Sequence, residues 1–200
     1  MSQKLILPIN DCAFSAGYKN AAYKKQQGYT HYGVDLYSNS ANTSVFSPGN
    51  GVVIAAGLDG SYYYDKLGWC YVIVFPDVML PSGRIKGLSC RMFHFNDLLF
   101  KAGNEVKQGQ LLGHYGNSGG TLVNGNRMGK HLHIEFDTDV GYPRHAVGIA
   151  RSGKVILKGT FDSTVNPSDV WYRKENQNIK GIYDGWYSTK DINLPVLGGE

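Results

Sequence analysis

"MGKHLHIEFD", residues 128–137, is the stretch on which the reading of the whole chain turns. Extended backbone sends residues i and i+2 to the same side, so Leu132, Ile134 and Phe136 share one face, and His131, His133 and Glu135 share the other. The apolar face predicts a strand laid against a core. The polar face is either a wet sheet surface or the lining of a cleft, and two histidines alone leave both open.

Flanking stretches carry the same signature. "SPGNGVVIAAG" (47–57) sets a Pro/Gly turn before a β-branched run. In "GWCYVIVFPD" (68–77), Cys70, Val72 and Val74 fall on one side and Trp69, Tyr71, Ile73 and Phe75 on the other, which predicts a strand covered on both faces. "GLSCRMFHFNDLLF" (87–100) reads as strand followed by a short helical turn after Asn96, and "AGNEVKQGQLLGHYGNSGG" (102–120) as short strands between glycine turns. "TLVNGNRMG" (121–129) reads as a polar loop, and "STVNPSDVWY" (163–172) as an exit through an Asn-Pro turn. With 26 glycines and 14 tyrosines in 200 residues, 18% charged residues and no long amphipathic helix, the expected class is all-β: mainly antiparallel sheet, a small sandwich or open barrel with few short helices.

This length suits one domain with a substantial core. We place it at 1–174, with 175–200 as a C-terminal extension that packs back or begins a linker. Packing back is favoured, because the extension carries Tyr183, Trp186 and Tyr187. The net charge of +4 is spread along the chain and predicts no nucleic-acid partner. Cys12, Cys70 and Cys90 are odd in number and far apart, so buried free thiols are expected rather than a disulfide framework or a CxxC site. "MSQKLILPIN" is too short and too broken by Pro8 for a secretory signal, and no run of 18 apolar residues predicts a transmembrane segment.

Chemistry is concentrated in histidines. In "THYGVDLYS" (30–38), His31 and Asp35 stand four apart; Gly33, Val34 and the flanking tyrosines favour an extended chain, with Gly33 letting the backbone pass close to something. A catalytic zinc takes three N or O ligands and keeps one position open for water, and this pair plus one histidine of the HxH strand supplies that count. His94, in "RMFHFND", is either a third component of the site or a half-buried core histidine, whereas His114 and His145 sit in turn-like settings and read as surface residues. HExxH and Cys/His nucleophile patterns are absent, "GNSGG" (116–120) fits GxSxG in letters but reads as a turn without the strand-to-helix setting of a nucleophile elbow, and "GNRMGKH" fails as a phosphate loop because His131 stands where Ser or Thr should follow the lysine.

Taken in order, HxxxD, an aromatic-strand histidine, GQxxG, a glycine-rich turn and HLHxEF resemble the lysostaphin/LytM family of zinc metalloendopeptidases, over about Thr30 to Phe136. The resemblance implies a peptidase domain that hydrolyses peptide cross-bridges or stem peptides of bacterial peptidoglycan. It implies one Zn2+ per chain on His31, Asp35 and His133, with His94 and His131 as catalytic residues. Lys130 in place of a common proline, Phe93 in place of a frequent tyrosine and a long 121–129 loop depart from the family pattern beside the cleft, where substrate choice is made. The alternative from another class is a non-hydrolytic module of the same fold that binds peptidoglycan or a partner protein. A wall substrate implies an extracellular or cell-wall location; without a signal in this chain, a phage lysin or tail-associated domain released by another route also fits.

Overall fold

The computed structural model describes residues 1–57, 68–119, 128–138, 140, 147–149, 155–157 and 162–198. In chain order the strands are β1 (Leu5–Ile6), β2 (Cys12–Ala16), β3 (Val34–Ser38), β4 (Ser44–Phe46), β5 (Gly51–Ala56), β6 (Trp69–Met79), β7 (Ile85–Leu98), β8 (Glu105–Val106), β9 (Leu111–Tyr115), β10 (Leu132–Asp137), β11 (Val147–Ile149), β12 (Val155–Leu157), β13 (Thr164–Val165), β14 (Trp171–Tyr172) and β15 (Ile179–Gly181). α1 (Ala21–Gln27) lies between β2 and β3, a 3-10 turn, Pro167–Asp169, lies between β13 and β14, and α2 (Thr189–Ile192) follows β15. The strand-dominated class expected from glycine, tyrosine and period-two patterning is what the chain adopts. Most of the strands form one sheet in the order β15-β2-β3-β10-β7-β6-β5-β8, with β13 beside β10, β9 beside β7 and β4 beside β9. Its pairings are antiparallel except β15 with β2, so the sheet is mixed.

β10 sits between β3 and β7, with Ile134 opposite Val34 on one side and Met92 on the other. Leu132, Ile134 and Phe136 are fully buried, as their alternation requires, in a core with Phe14, Leu36, Tyr71, Ile73 and Phe95. Trp171 closes this core by edge-on contacts with Phe14 and Phe136 at 6.3 and 5.6 Å between ring centres. The Asn-Pro turn at 166–167 therefore leads inward: Asn166 caps the 3-10 turn, and β14 then pairs in parallel with β1. Beyond Lys174 the chain adds β15 to the edge of the sheet beside β2. The three cysteines are buried free thiols.

β7 departs from the reading of "GLSCRMFHFNDLLF" in two ways. No helical turn follows Asn96, because the strand continues to Leu98 by pairing Asp97 with His114 and Leu98 with Gly113 of β9. The second departure matters more. Tyr71 pairs with Met92 but Trp69 pairs with Phe95, so two steps along β6 match three along β7. The extra residue is a bulge, and His94 in it has φ 71°. Leu88, Cys90, Met92 and then Phe95 face the core, so the bulge turns both Phe93 and His94 to the opposite face. In an unbroken strand His94 would share the core face with Met92.

A left-handed backbone costs an L-residue about 1–2 kcal/mol, while glycine in a strand costs about 0.5–1 kcal/mol in entropy. His94→Gly is therefore expected to be more stable than His94→Ala by roughly 0.5–1 kcal/mol, reversing the usual order of the two residues in a strand. Denaturant unfolding of both variants checks this; an alanine variant as stable as the glycine variant would mean that the bulge is not strained.

Candidate active site

The polar face of β10 meets three other segments. His133 lies directly opposite Asp35 of β3 on one side and Phe93 of β7 on the other. His31 precedes β3 rather than lying in it, and folds back so that its Nε2 is 3.1 Å from Asp35 Oδ1 and 3.0 Å from His133 Nδ1. The third edge of the triangle, His133 Nδ1 to Asp35 Oδ1, is 2.8 Å. Gly33 makes this possible. A Cβ there would lie 2.2 Å from the Ile134 carbonyl oxygen and 2.9 Å from His133 Nε2, so any side chain would force β3 and β10 apart. Among the described residues, His31, Asp35 and His133 are the one cluster of three His, Cys, Asp or Glu residues spaced to hold a metal ion.

His94 and His131 complete the group. Their rings lie 4.7 Å apart, the His94 ring is 6.2 Å from that of His133, and His131 Nε2 is 3.7 Å from Asp35 Oδ1. All five residues singled out in the sequence thus converge on one buried corner. His114 lies away from it, half exposed and paired through Nδ1 with both oxygens of Asp97 at 3.0 and 3.1 Å. His145 and most of the 121–129 loop fall outside the described residues.

What the sequence reading missed is the set of acceptors behind the histidines. His31 Nδ1–H donates to the Gly17 carbonyl at 3.0 Å, His94 Nδ1–H to the Ser118 carbonyl at 3.0 Å and His131 Nδ1–H to the Gly129 carbonyl at 2.9 Å. His133 Nε2–H donates to Glu135 Oε1 at 3.1 Å, and the other Glu135 oxygen pairs with Arg91, its neighbour across the strands. A carbonyl or carboxylate oxygen only accepts, so each outer ring nitrogen carries its proton. The inner nitrogen of each neutral ring is then a bare lone pair. Of these partners, only Glu135 had a visible signal, since it shares the HxHxE face.

Two imidazole lone pairs and a carboxylate oxygen, 2.8–3.1 Å apart and buried, need positive charge among them. The spacing is close to the edge of about 3.3 Å that a tetrahedral set at about 2.0–2.1 Å from zinc would have, and the His, His, Asp donor set with acceptors behind both rings suits that ion. Without metal, a proton takes the place. Burial opposes charge on His133, but hydrogen bonds to Asp35 and Glu135 outweigh it and push the ring up to about 9. Burial likewise opposes the Asp35 carboxylate, yet the charges of His31 and His131 and the hydrogen bonds from His133 and His31 hold it well below the usual range. His94 goes the other way: burial first, then the neighbouring His131 and His133 charges, push it down to about 3 and keep it neutral.

Residues 29–146 match Peptidase family M23, and the chain belongs to that family. No curated protein matches the sequence. Among solved structures, the chain is similar to one from the SpoIIQ-SpoIIIAH pore forming complex, at 17% identity and a TM-score of 0.56 over 86% of this chain and 92% of that one. It is also similar to lysostaphin in solution (22%, TM-score 0.49, 72% of this chain and 51% of that one) and to a zinc containing peptidase from Vibrio cholerae (22%, 0.48, 68% and 37%). The first likeness establishes the fold alone; the other two are too distant to argue from.

Metal and proton compete for His133. The metal needs the free base, and the ring holds its proton up to about pH 9, so zinc uptake at pH 7 is expected to release close to one proton from His133, with apparent affinity climbing towards pH 9. Calorimetric titration in two buffers of different ionisation heat measures this, and identical heats in both would refute it. The sign reverses for metal-free folding. The His133 contribution is full below the unfolded value of about 6.5 and is lost as pH rises through 9.

Proposed function

We propose that this chain is a zinc-dependent endopeptidase that hydrolyses peptide cross-bridges or stem peptides of bacterial peptidoglycan. The observation that carries the reading is the closed set of donors, His31 Nε2, Asp35 Oδ1 and His133 Nδ1, with two further imidazoles beside it and an outer acceptor behind every ring. A site that had lost its chemistry would lack a ligand or one of the paired histidines, and here all five positions are occupied. The substrate class places the protein at the cell wall or outside the cell. No helix among the described residues is long and apolar enough to cross a membrane.

In this reading His31, Asp35 and His133 hold one zinc ion, which supplies Lewis-acid activation of a water molecule and of the scissile carbonyl. His94, kept neutral, turns Nε2 inward and accepts a hydrogen bond from the attacking water, orienting it. His131 takes the proton of that water on Nε2, which lies 3.7 Å from Asp35 Oδ1. As the water oxygen bonds to the carbonyl carbon, the protonated His131 can steady the oxyanion. It then returns the proton to the departing amine as the C–N bond breaks. The backbone acceptors of both catalytic rings keep their Nδ1 protons out of this exchange.

His133→Ala is expected to strip zinc, whereas His131→Ala keeps near-stoichiometric zinc and loses turnover by about 10²-fold or more. Metal analysis beside a cleavage assay separates the two, and equal loss of zinc from both would overturn the division of labour. Digestion of purified peptidoglycans of differing bridge chemistry, with new termini identified by mass spectrometry, tests the activity itself. Cleavage of none of them by the zinc-loaded protein would favour the rival reading, a module of the same fold that binds wall peptides or, as in the complex to which the fold is similar, a partner protein.

A further inference from the structure

The acceptor behind His31 belongs to a part of the chain outside residues 29–146, and that part is itself held from the C-terminus. Gly17 receives the His31 Nδ1–H on its carbonyl at 3.0 Å, while its own N–H donates to the Trp186 carbonyl at 2.7 Å. Gly17 is thus held on both sides, through its carbonyl by the candidate ligand and through its N–H by residue 186. Space there is closed: a Cβ on Gly17 would meet Asp191 Oδ2 at 2.9 Å and the Trp186 carbonyl oxygen at 3.2 Å.

A second contact reaches the same ring by another route. Tyr23 of α1 lies over His31 with ring centres 4.8 Å apart and planes tilted by 34°, and Trp186 meets the Tyr23 ring edge-on at 5.0 Å. Asn20 fixes α1 at both ends of this stack. Its side-chain oxygen caps the helix by accepting from Tyr23 N–H at 2.9 Å, and its amide donates to the Gly185 carbonyl at 2.9 Å. The 182–187 turn is in turn anchored by Ile182 N–H to the Phe14 carbonyl at 3.0 Å and by β15 on β2. Ser188 and Asp191 close a capping box on α2, and Asp191 also takes the Ser168 hydroxyl.

We infer that the C-terminal segment 179–191 is the outer wall of the metal site and that Trp186 is a positioning residue for His31, its backbone carbonyl acting through Gly17 and its ring, which substitution removes, through Tyr23. The inference rests on the reading of His31 as a zinc ligand. It assigns to residues near the end of the chain the job that Glu135 and Arg91 do for His133: fixing the tautomer and the aim of the ring. Outer partners of metal-bound histidines affect affinity because a ring free to turn must be ordered again when the ion binds.

The test uses the full chain with Trp186→Ala, Trp186→Phe and Asn20→Ser. The serine keeps a helix cap but loses the amide that reaches Gly185. Two quantities are read at a temperature where circular dichroism shows the protein folded: zinc affinity by competition with a chelating indicator, and solvent exchange of the His31 ring N–H by nitrogen-15 NMR in metal-free protein. Trp186→Ala is expected to weaken zinc by about 10-fold or more and to speed the His31 exchange. Trp186→Phe restores most of both, and Asn20→Ser shifts both in the same direction by less. A role confined to stability lowers the melting temperature and moves neither reading, and that result overturns the inference. Should Trp186→Ala not fold, Asn20→Ser decides by the same readings. Failure of the unaltered protein to take up zinc defeats the functional proposal instead, and the exchange measurement still decides whether the C-terminal segment holds His31.

Discussion

A buried carboxylate oxygen, Asp35 Oδ1, within about 3 Å of two imidazole nitrogens is the constraint to which the rest of the molecule is fitted. Such a group is costly to bury without a cation, and it forms only if two stretches far apart in sequence, 31–35 and β10, are brought together closely. β3 and β10 must lie side by side in a register that sets Asp35 opposite His133, and the chain before β3 must fold back over both. Gly33 allows the approach by leaving room for the Ile134 carbonyl. The apolar alternation of β10 holds the register, since a slip of one residue would exchange Leu132, Ile134 and Phe136 with the polar set.

The second layer of the design is the orientation of rings. Four histidines meet at the site, and each has its outer nitrogen tied to an oxygen that can only accept. Their inner nitrogens are consequently aimed at the site before anything binds. Three of the four acceptors are backbone carbonyls, so the arrangement depends on loop geometry around Gly17, Ser118 and Gly129 rather than on the side chains found there. The fourth, Glu135, is a half-buried carboxyl group, and its pairing with Arg91 offsets the cost of taking it out of water.

The bulge in β7 shows how a local departure from regular structure serves the same end. Period-two reading of "RMFHFND" leaves His94 as either core or site, because a regular strand would set it on the core face with Met92. An inserted residue and a left-handed backbone reverse its direction. No glycine stands at the bulge to announce it, and the enrichment of histidine at positive φ is too weak a signal to mark one position. By contrast, "HYGVD" and "HLHIEF" carry their residue types openly, although only the second works as extended chain: His31 precedes β3 and folds back to reach Asp35. The C-terminal aromatics were visible as a cluster, but Trp186 reaches His31 only through Tyr23 and Gly17.

The sequence by itself determined the strand-rich class, the apolar face of β10 and the residue types able to hold a metal, because these follow from periodicity and from side-chain chemistry that survive in any conformation. Tertiary structure alone decided which face His94 takes, which tautomer each ring adopts and which distant carbonyl stands behind it. These depend on strand register, a bulge and backbone oxygens, and every residue carries the same backbone oxygen, so only the folded path of the chain selects which one a histidine meets.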